Sequence, residues 1–330
     1  MIKRSIIFTN APLLKGLKYR DLFQLVPIYH FSNAPISAYM THFPAFLEYK
    51  TSGLETNILC EQELRDNGVS EEDLCNIRRI PEEVKIRKEI LYLLSALTNF
   101  HFFEYNTISG SWGIQSPTKR IEELDENELL LLNNQTSSFY LKSYLYTGLK
   151  EDLVISKFTQ CCKYYEAIDQ PKEYFTINSN IESNSQIKIP CYLDCVLDKY
   201  YSLEKEKRKS VLQCLGLLSE GIELFDSKRS VSLLSIISSI EGIAKLDDKF
   251  HKFKPTKRFL EYLKCYVAGK SEDKFRKYYL KRCEITHEGI LFLSDYDLYS
   301  DINKQDNDYL FRLEVMQVAR FALFNWLMRI

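Results

Sequence analysis

The sequence predicts a mainly α protein, with an N-terminal α+β domain followed by an all-α, up-and-down helical bundle. Three observations carry this. From Pro190 onward, apolar residues recur at helical spacing in five successive segments. Before that, short aromatic segments are interrupted by Pro12, Pro27, Pro35 and Pro44, which break any long helix. Between them lies 178–185, the most polar, small-residue stretch of the chain, which reads as a loop or linker. The domains are therefore expected at 1–185 and 186–330, and 330 residues suffice for two domains at ~100–200 each.

Residues 1–80 resist assignment, except that Ser70 followed by Glu71, Glu72 and Asp73 is a helix start with a capping serine and an acidic first turn. Pro81 is expected to open a new helix, carrying the stripe Ile86, Ile90, Leu93, Leu94 and Leu97. The segments 101–105 and 110–114 predict a β-hairpin across 106–110. Gly110 to Gly113 does not match a phosphate-binding loop. A helix is expected over 120–132.

In the C-terminal part, 204–225 carries Leu212, Leu215, Leu218, Ile222 and Phe225 on one stripe. The segment 230–245 has a serine cap and apolar residues around most of its surface (Val231, Leu233, Leu234, Ile236, Ile237, Ile240, Ile243), which predicts the central helix. Pro255 starts a third helix closed by Gly269. Ser271 starts a fourth that ends at Gly289, and Asp308 starts the last, through Leu310, Leu313, Phe321 and Trp326. Short connections between such helices give an up-and-down bundle. The longest gap, 290–307, rich in Asp, Asn and Tyr, is expected to be a flexible flap.

A net charge of −1 argues against a strongly basic nucleic-acid binder and leaves room for a local basic patch. No apolar run reaches the ~18 residues of a membrane span. The apolar run before Thr9 is only three residues long, Ile6-Ile7-Phe8, against the about 7–15 of a secretory signal, so the expected location is cytoplasmic. Nine cysteines at irregular spacing include no C-x-x-C pair. They predict reduced, buried thiols and no metal site, with Cys191 and Cys195 on one helix face.

The chemistry concentrates in 278–289, where Tyr278-Tyr279 precede Arg282, His287 and Gly289 on the fourth helix. Arg-x4-His in this setting resembles the signature of the HEPN superfamily. The helix at 233–243 with its internal Ile240-Glu241 pair is similar to that of the Apea-like HEPN branch. The resemblance covers the C-terminal domain only. It implies a HEPN-like bundle, a homodimer with a composite active site, and a metal-independent endoribonuclease with RNA as partner and no cofactor. The implied setting is prokaryotic defence: antiphage activity, abortive infection or a toxin. Arg282 and His287 would be catalytic, with Glu241, Glu284, Tyr278 and Cys283 in support. Two departures stand out. Cys283 follows the arginine where a small polar residue is usual, and Glu288 separates the histidine from the glycine.

The residues suit this chemistry. Cleavage of RNA by its own 2′-hydroxyl needs a base, an acid and positive charge on the phosphorane. Histidine can do either proton job near neutral pH, and arginine grips phosphate bidentately. Residues five apart on an ideal α-helix differ by about 140° and ~7.5 Å, so one helix is not expected to aim both groups at one phosphate. Two helices related by a two-fold axis would do so. His287 lies in the last turn, where the helix dipole favours imidazolium, and Glu284 is placed to orient its ring. The bland reading is that His287 caps carbonyls and Arg282 makes a surface ion pair.

Lys249, Lys252, Lys254, Lys257 and Arg258 are interleaved with Phe250, Phe253 and Phe259. This suits phosphate contact with base stacking, or else a solvated loop face. Two alternatives to the nuclease remain. One is a catalytically inactive HEPN-like module that binds RNA or nucleotide or only dimerises. The other is an interaction protein whose N-terminal domain, as a sensor or recognition module, is the functional part.

Overall fold

A computed structural model describes residues 1–27, 43–53, 55, 61–104, 113–115, 143–145, 153–160, 167–168, 171–175, 187–296 and 302–330. The chain forms two compact units. One comprises Met1–Lys88, Phe102–Tyr165 and Glu182–Ile187, the other Glu89–His101, Glu166–Ile181 and Lys188–Ile330. The expected helix at 120–132 and the polar stretch 178–185 lie outside the described residues.

The first unit is built on an antiparallel sheet. Its strands are β1 (Ile2–Thr9), β2 (Leu17–Tyr19), β3 (Phe23–Pro27), β4 (Phe43–Lys50) and β5 (Phe102–Phe103), in the order β2-β3-β4-β1-β5. β6 (Gly113–Gln115) pairs with β7 (Ser143–Leu145) in parallel, and β8 (Leu153–Ile155) pairs with β1. The expected hairpin over 101–114 is thus overturned among the described residues: Phe102 and Phe103 pair with Thr9 and Phe8 instead. Phe8 and Phe103 also pack ring to ring at 6.0 Å, a long-range pairing with no local sequence signal.

Arg4, Glu48 and Gln24 stand side by side across β1, β4 and β3. Glu48 is fully buried. It accepts from Arg4 Nε at 2.9 Å, Gln24 Nε2 at 2.5 Å and the Thr159 backbone N–H at 2.8 Å. A buried carboxylate persists only when paired and hydrogen-bonded in this way.

Helix α1 spans Glu61–Asp66 and α2 spans Glu71–Leu97. Ser70 Oγ accepts the Asp73 N–H at 3.1 Å, as its sequence predicts. Pro81 does not open a helix; it sits inside α2. In the turn before it, the Arg78 guanidinium bonds the Glu61 carboxylate at 2.5 Å.

The second unit holds α3 (Pro171–Tyr174), a two-stranded parallel pair β9 (Ala167–Ile168) and β10 (Ile189–Pro190), and the helical C-terminal region. Its helices are α4 (Leu193–Tyr201), α5 (Lys205–Glu223), α6 (Arg229–Leu246), α7 (Pro255–Tyr266), α8 (Glu272–Cys283) and α9 (Ile302–Arg329). Among the described residues that is one helix more than the five expected, the addition being the nine-residue α4. α6 is central as predicted, packing against α5, α7, α8 and α9.

α5 and α6 form a tight antiparallel pair. Ser232 Oγ donates to the Gly221 carbonyl at 2.6 Å and Ser239 Oγ to the Cys214 carbonyl at 2.7 Å. A Cβ at Gly242 would stand 2.5 Å from Cys214 Sγ, and one at Gly221 2.6 Å from Ile236 Cγ1. Glycine is what allows the close approach.

Several expectations shift. Ser230 is not the N-cap of α6, whose first N–H groups are satisfied by Asp295 from another segment. Val231 is exposed. α9 begins at Ile302, not Asp308, and Leu310 is exposed while Arg312 and Arg320 are buried. Arg312 stacks over Phe225 at 4.3 Å, and Arg320 donates to the Ser95 carbonyl and to Gln317. Cys191 precedes α4, and both Cys191 and Cys195 are exposed thiols, so neither the shared helix face nor the burial expected of them is found. Among the described residues no helix is long and apolar enough to cross a membrane.

Candidate functional site

α8 continues into a single π-helical turn, Glu284–Glu288, which ends at Gly289 with φ of 68°. The Gly289 and Ile290 N–H groups both turn back to the Glu284 carbonyl. The positive φ explains the glycine. The inner face of α8 is buried: Phe275, Tyr278, Tyr279 and then Ile285. Tyr279 packs on Phe259 of α7 at 5.2 Å, and Tyr278 meets Phe311 of α9 edge-on at 5.5 Å.

The π turn revises the geometric expectation for Arg282 and His287. Hydrogen bonding from i to i+5 winds less per residue than an α-helix. A residue five positions on then returns toward the azimuth of the first, where an α-helix would put it about 140° away. The wide turn starts two residues after Arg282 and contains His287.

Arg282 is held loosely. Its guanidinium lies 3.6 Å from the Glu241 carboxylate of α6, with the two side chains 24% and 18% exposed. It also lies 3.4 Å from Thr286 Oγ1 and 5.8 Å from the centre of the Tyr279 ring. These contacts are long for a guanidinium with five donors, so capacity remains for an incoming anion. His287 is exposed. Among the described residues its side chain makes no ion pair or hydrogen bond.

The supporting residues divide. Glu241 does meet Arg282. Glu284 does not orient His287: its carboxylate pairs with Lys281 at 3.0 Å, because that ammonium, one turn back, is the nearer partner. Glu284 also lines a groove of about 410 Å³ with Lys277, Leu280, Lys281, Phe292 and Asp308. Tyr278 acts through packing. Its hydroxyl is buried without a hydrogen-bond partner of normal geometry, and burial, with the nearby Glu314, raises its pKa. Cys283 is a half-buried free thiol.

The turn is fixed from a direction the sequence does not reveal. Asp295 accepts the Arg229 and Ser230 N–H groups, one on each carboxylate oxygen, both at 2.9 Å. Arg229 donates to the Ser294 carbonyl, and the Phe292 N–H donates to Ser230 Oγ at 2.9 Å. Residues 290–296 are therefore strapped to the start of α6 and are not the flexible flap expected; 297–301 lie outside the described residues.

α7 runs antiparallel to α8, since Phe259 meets Tyr279 while Lys264 pairs with Glu272 at 2.5 Å. The start of α7, with Lys254, Lys257 and Arg258, thus lies toward the Arg282 end of α8. Two of the interleaved rings are not available for stacking. Phe259 and Phe250 are buried, Phe250 edge-on against Tyr262 and Tyr266, and Phe253 lies under Lys257 Nζ at 4.6 Å. Packing of Phe250 on α7 and of Phe259 on α8 closes those two rings to base stacking, and Phe253 is half-buried. Lys252, Lys254 and Lys257 are exposed, and Arg258 is half-buried with its guanidinium 3.4 Å from the His251 carbonyl.

No family model, curated protein or solved structure matches this chain. The site therefore rests on its own residues. Tyr279, Thr286, Lys281 and Asp295 join it from the structure. Only Tyr279 had a sequence signal, as half of the aromatic pair before Arg282.

Proposed function

We propose that the protein is a metal-independent endoribonuclease of HEPN type, acting as a homodimer with a composite site, in prokaryotic defence as an antiphage, abortive-infection or toxin protein. The observation that carries the reading is the pairing of an exposed His287 with a loosely held Arg282 on one α-to-π turn. In the proposed reaction the imidazole of one His287 takes the proton of the RNA 2′-hydroxyl. The 2′-oxygen bonds to phosphorus, and the bond from phosphorus to the 5′-oxygen breaks. The second copy's imidazolium gives its proton to that oxygen, leaving a 2′,3′-cyclic phosphate and a 5′-hydroxyl. Arg282 from each copy offsets the charge of the phosphorane. No further reactant is needed. Lys252, Lys254, Lys257 and Arg258 would contact the RNA.

The second copy would dock beside the turn, over Leu280, Ile290 and Leu291, which are 53%, 49% and 43% exposed.

The test is incubation of labelled RNA with the purified protein in chelator. We expect chelator-resistant cleavage with cyclic phosphate ends, lost in both Arg282→Ala and His287→Ala while the fold and oligomeric state persist. Unchanged cleavage in the two variants removes these residues from the mechanism. The second reading, a catalytically inactive HEPN-like RNA- or nucleotide-binding or dimerisation module, is favoured by the pairing of Glu284 with Lys281, which leaves His287 without an orienting partner. Binding without cleavage would select it.

A further inference from the structure

We infer that the ribbon over 245–258 is a track for the sugar–phosphate backbone of single-stranded RNA, leading along α7 to the Arg282 turn; this rests on RNA being the ligand. The stretch holds six cations against two acids, a net +4 in a chain of net −1. Asp247 is already engaged, while Asp248 is almost fully exposed. Asp247 accepts from the Tyr266 hydroxyl at 2.6 Å and from the Lys249 N–H at 2.9 Å, and Asp248 lies 3.9 Å from Lys207 Nζ.

The rings anchor the ribbon. Asp247 and Phe250 fix it at the Tyr266 end of α7, and Phe253 packs on Phe250. Backbone turns over 247–253 then lead to Pro255, the first residue of α7. Lys249, Lys252 and Lys254 are exposed on this connection, Lys245 at the end of α6 and Lys257 in the first turn of α7. Among the described residues none of them makes an ion pair. Lys249 sits over Tyr266 and Lys257 over Phe253. At the far end, Phe259 touches Tyr279, which lies under Arg282. A row of unpaired ammonium groups on an anchored backbone, with Phe250 and Phe259 turned inward, fits phosphates and not bases.

The experiment uses the full chain and fluorescent 2′-O-methylated single-stranded RNA, which lacks the attacking hydroxyl and cannot be cleaved. Four phosphate contacts contribute about −3 to the slope of log binding constant against log salt on a single strand. We expect K249Q/K252Q/K254Q/K257Q to make the slope shallower by about that amount, leaving the share of Arg258 and Arg282, and to weaken binding at least tenfold at about 0.1 M salt. K85Q/K88Q, neutralising two exposed lysines of α2, should bind like wild type. A quadruple variant with wild-type slope and affinity overturns the inference, as does a wild type that does not bind. Ribbon-dependent binding together with failure to cleave unmodified RNA would remove the nuclease reading and leave the track standing.

Discussion

Two arginine–glutamate pairs in this protein use the same groups to opposite ends. In the sheet unit, Arg4 and Glu48 meet at 2.7 Å, with the carboxylate fully buried and further bonded by Gln24 and Thr159. In the helical unit, Arg282 and Glu241 stand 3.6 Å apart, both partly open to water. The first pair has both carboxylate oxygens buried and committed to hydrogen bonds. The second has unused donors and solvent on one side. A charge in a protein is structural or available according to how completely its hydrogen-bonding capacity is met, and identity alone does not say which.

The sharpest way to break the contrast is Glu48→Ala. It leaves Arg4 and Gln24 without their acceptor and should cost about 3–5 kcal/mol, the range for one partner removed from a buried pair, read as a lowered denaturant midpoint. A loss below about 1 kcal/mol would place this pair with surface salt bridges. Next comes Asp295→Ala, which strips the cap from α6. We expect about 1 kcal/mol of destabilisation and faster amide exchange at Arg229 and Ser230. Unchanged exchange there would mean that the strap does not hold the helix start. The smallest effect on stability is expected from Glu241→Gln, within about 1 kcal/mol because the pair is partly solvated. If the midpoint moves as far as in the Glu48 variant, the two pairs do not differ in kind.

Much of the helical unit was legible. The stripes of 204–225 and 230–245, Pro255 as a helix start and Gly289 as a stop all found their elements, since these signals are local: periodicity, a fixed proline φ, a positive glycine φ. The sheet was not legible. β3 is buried at every residue and β4 at all but the last, Gln24 and Glu48 included, so neither shows the in–out alternation that flags a strand. Pro81 failed as a helix start because the local Ser70 cap had already begun α2, whereas the 101–114 hairpin and the Ser230 cap failed because partners distant in sequence, β1 and Asp295, supplied what the local pattern required.

The sequence by itself determined the helical C-terminal region, its central helix, and the closeness of Arg282 and His287 along the chain, because these follow from spacing and backbone preference. Tertiary structure alone decided which groups stay free. Lys281 takes Glu284 away from His287, Phe250 and Phe259 turn into the packing, and Asp295 ties down the segment after the turn. Each of these is a competition between partners in space, settled by distance and burial.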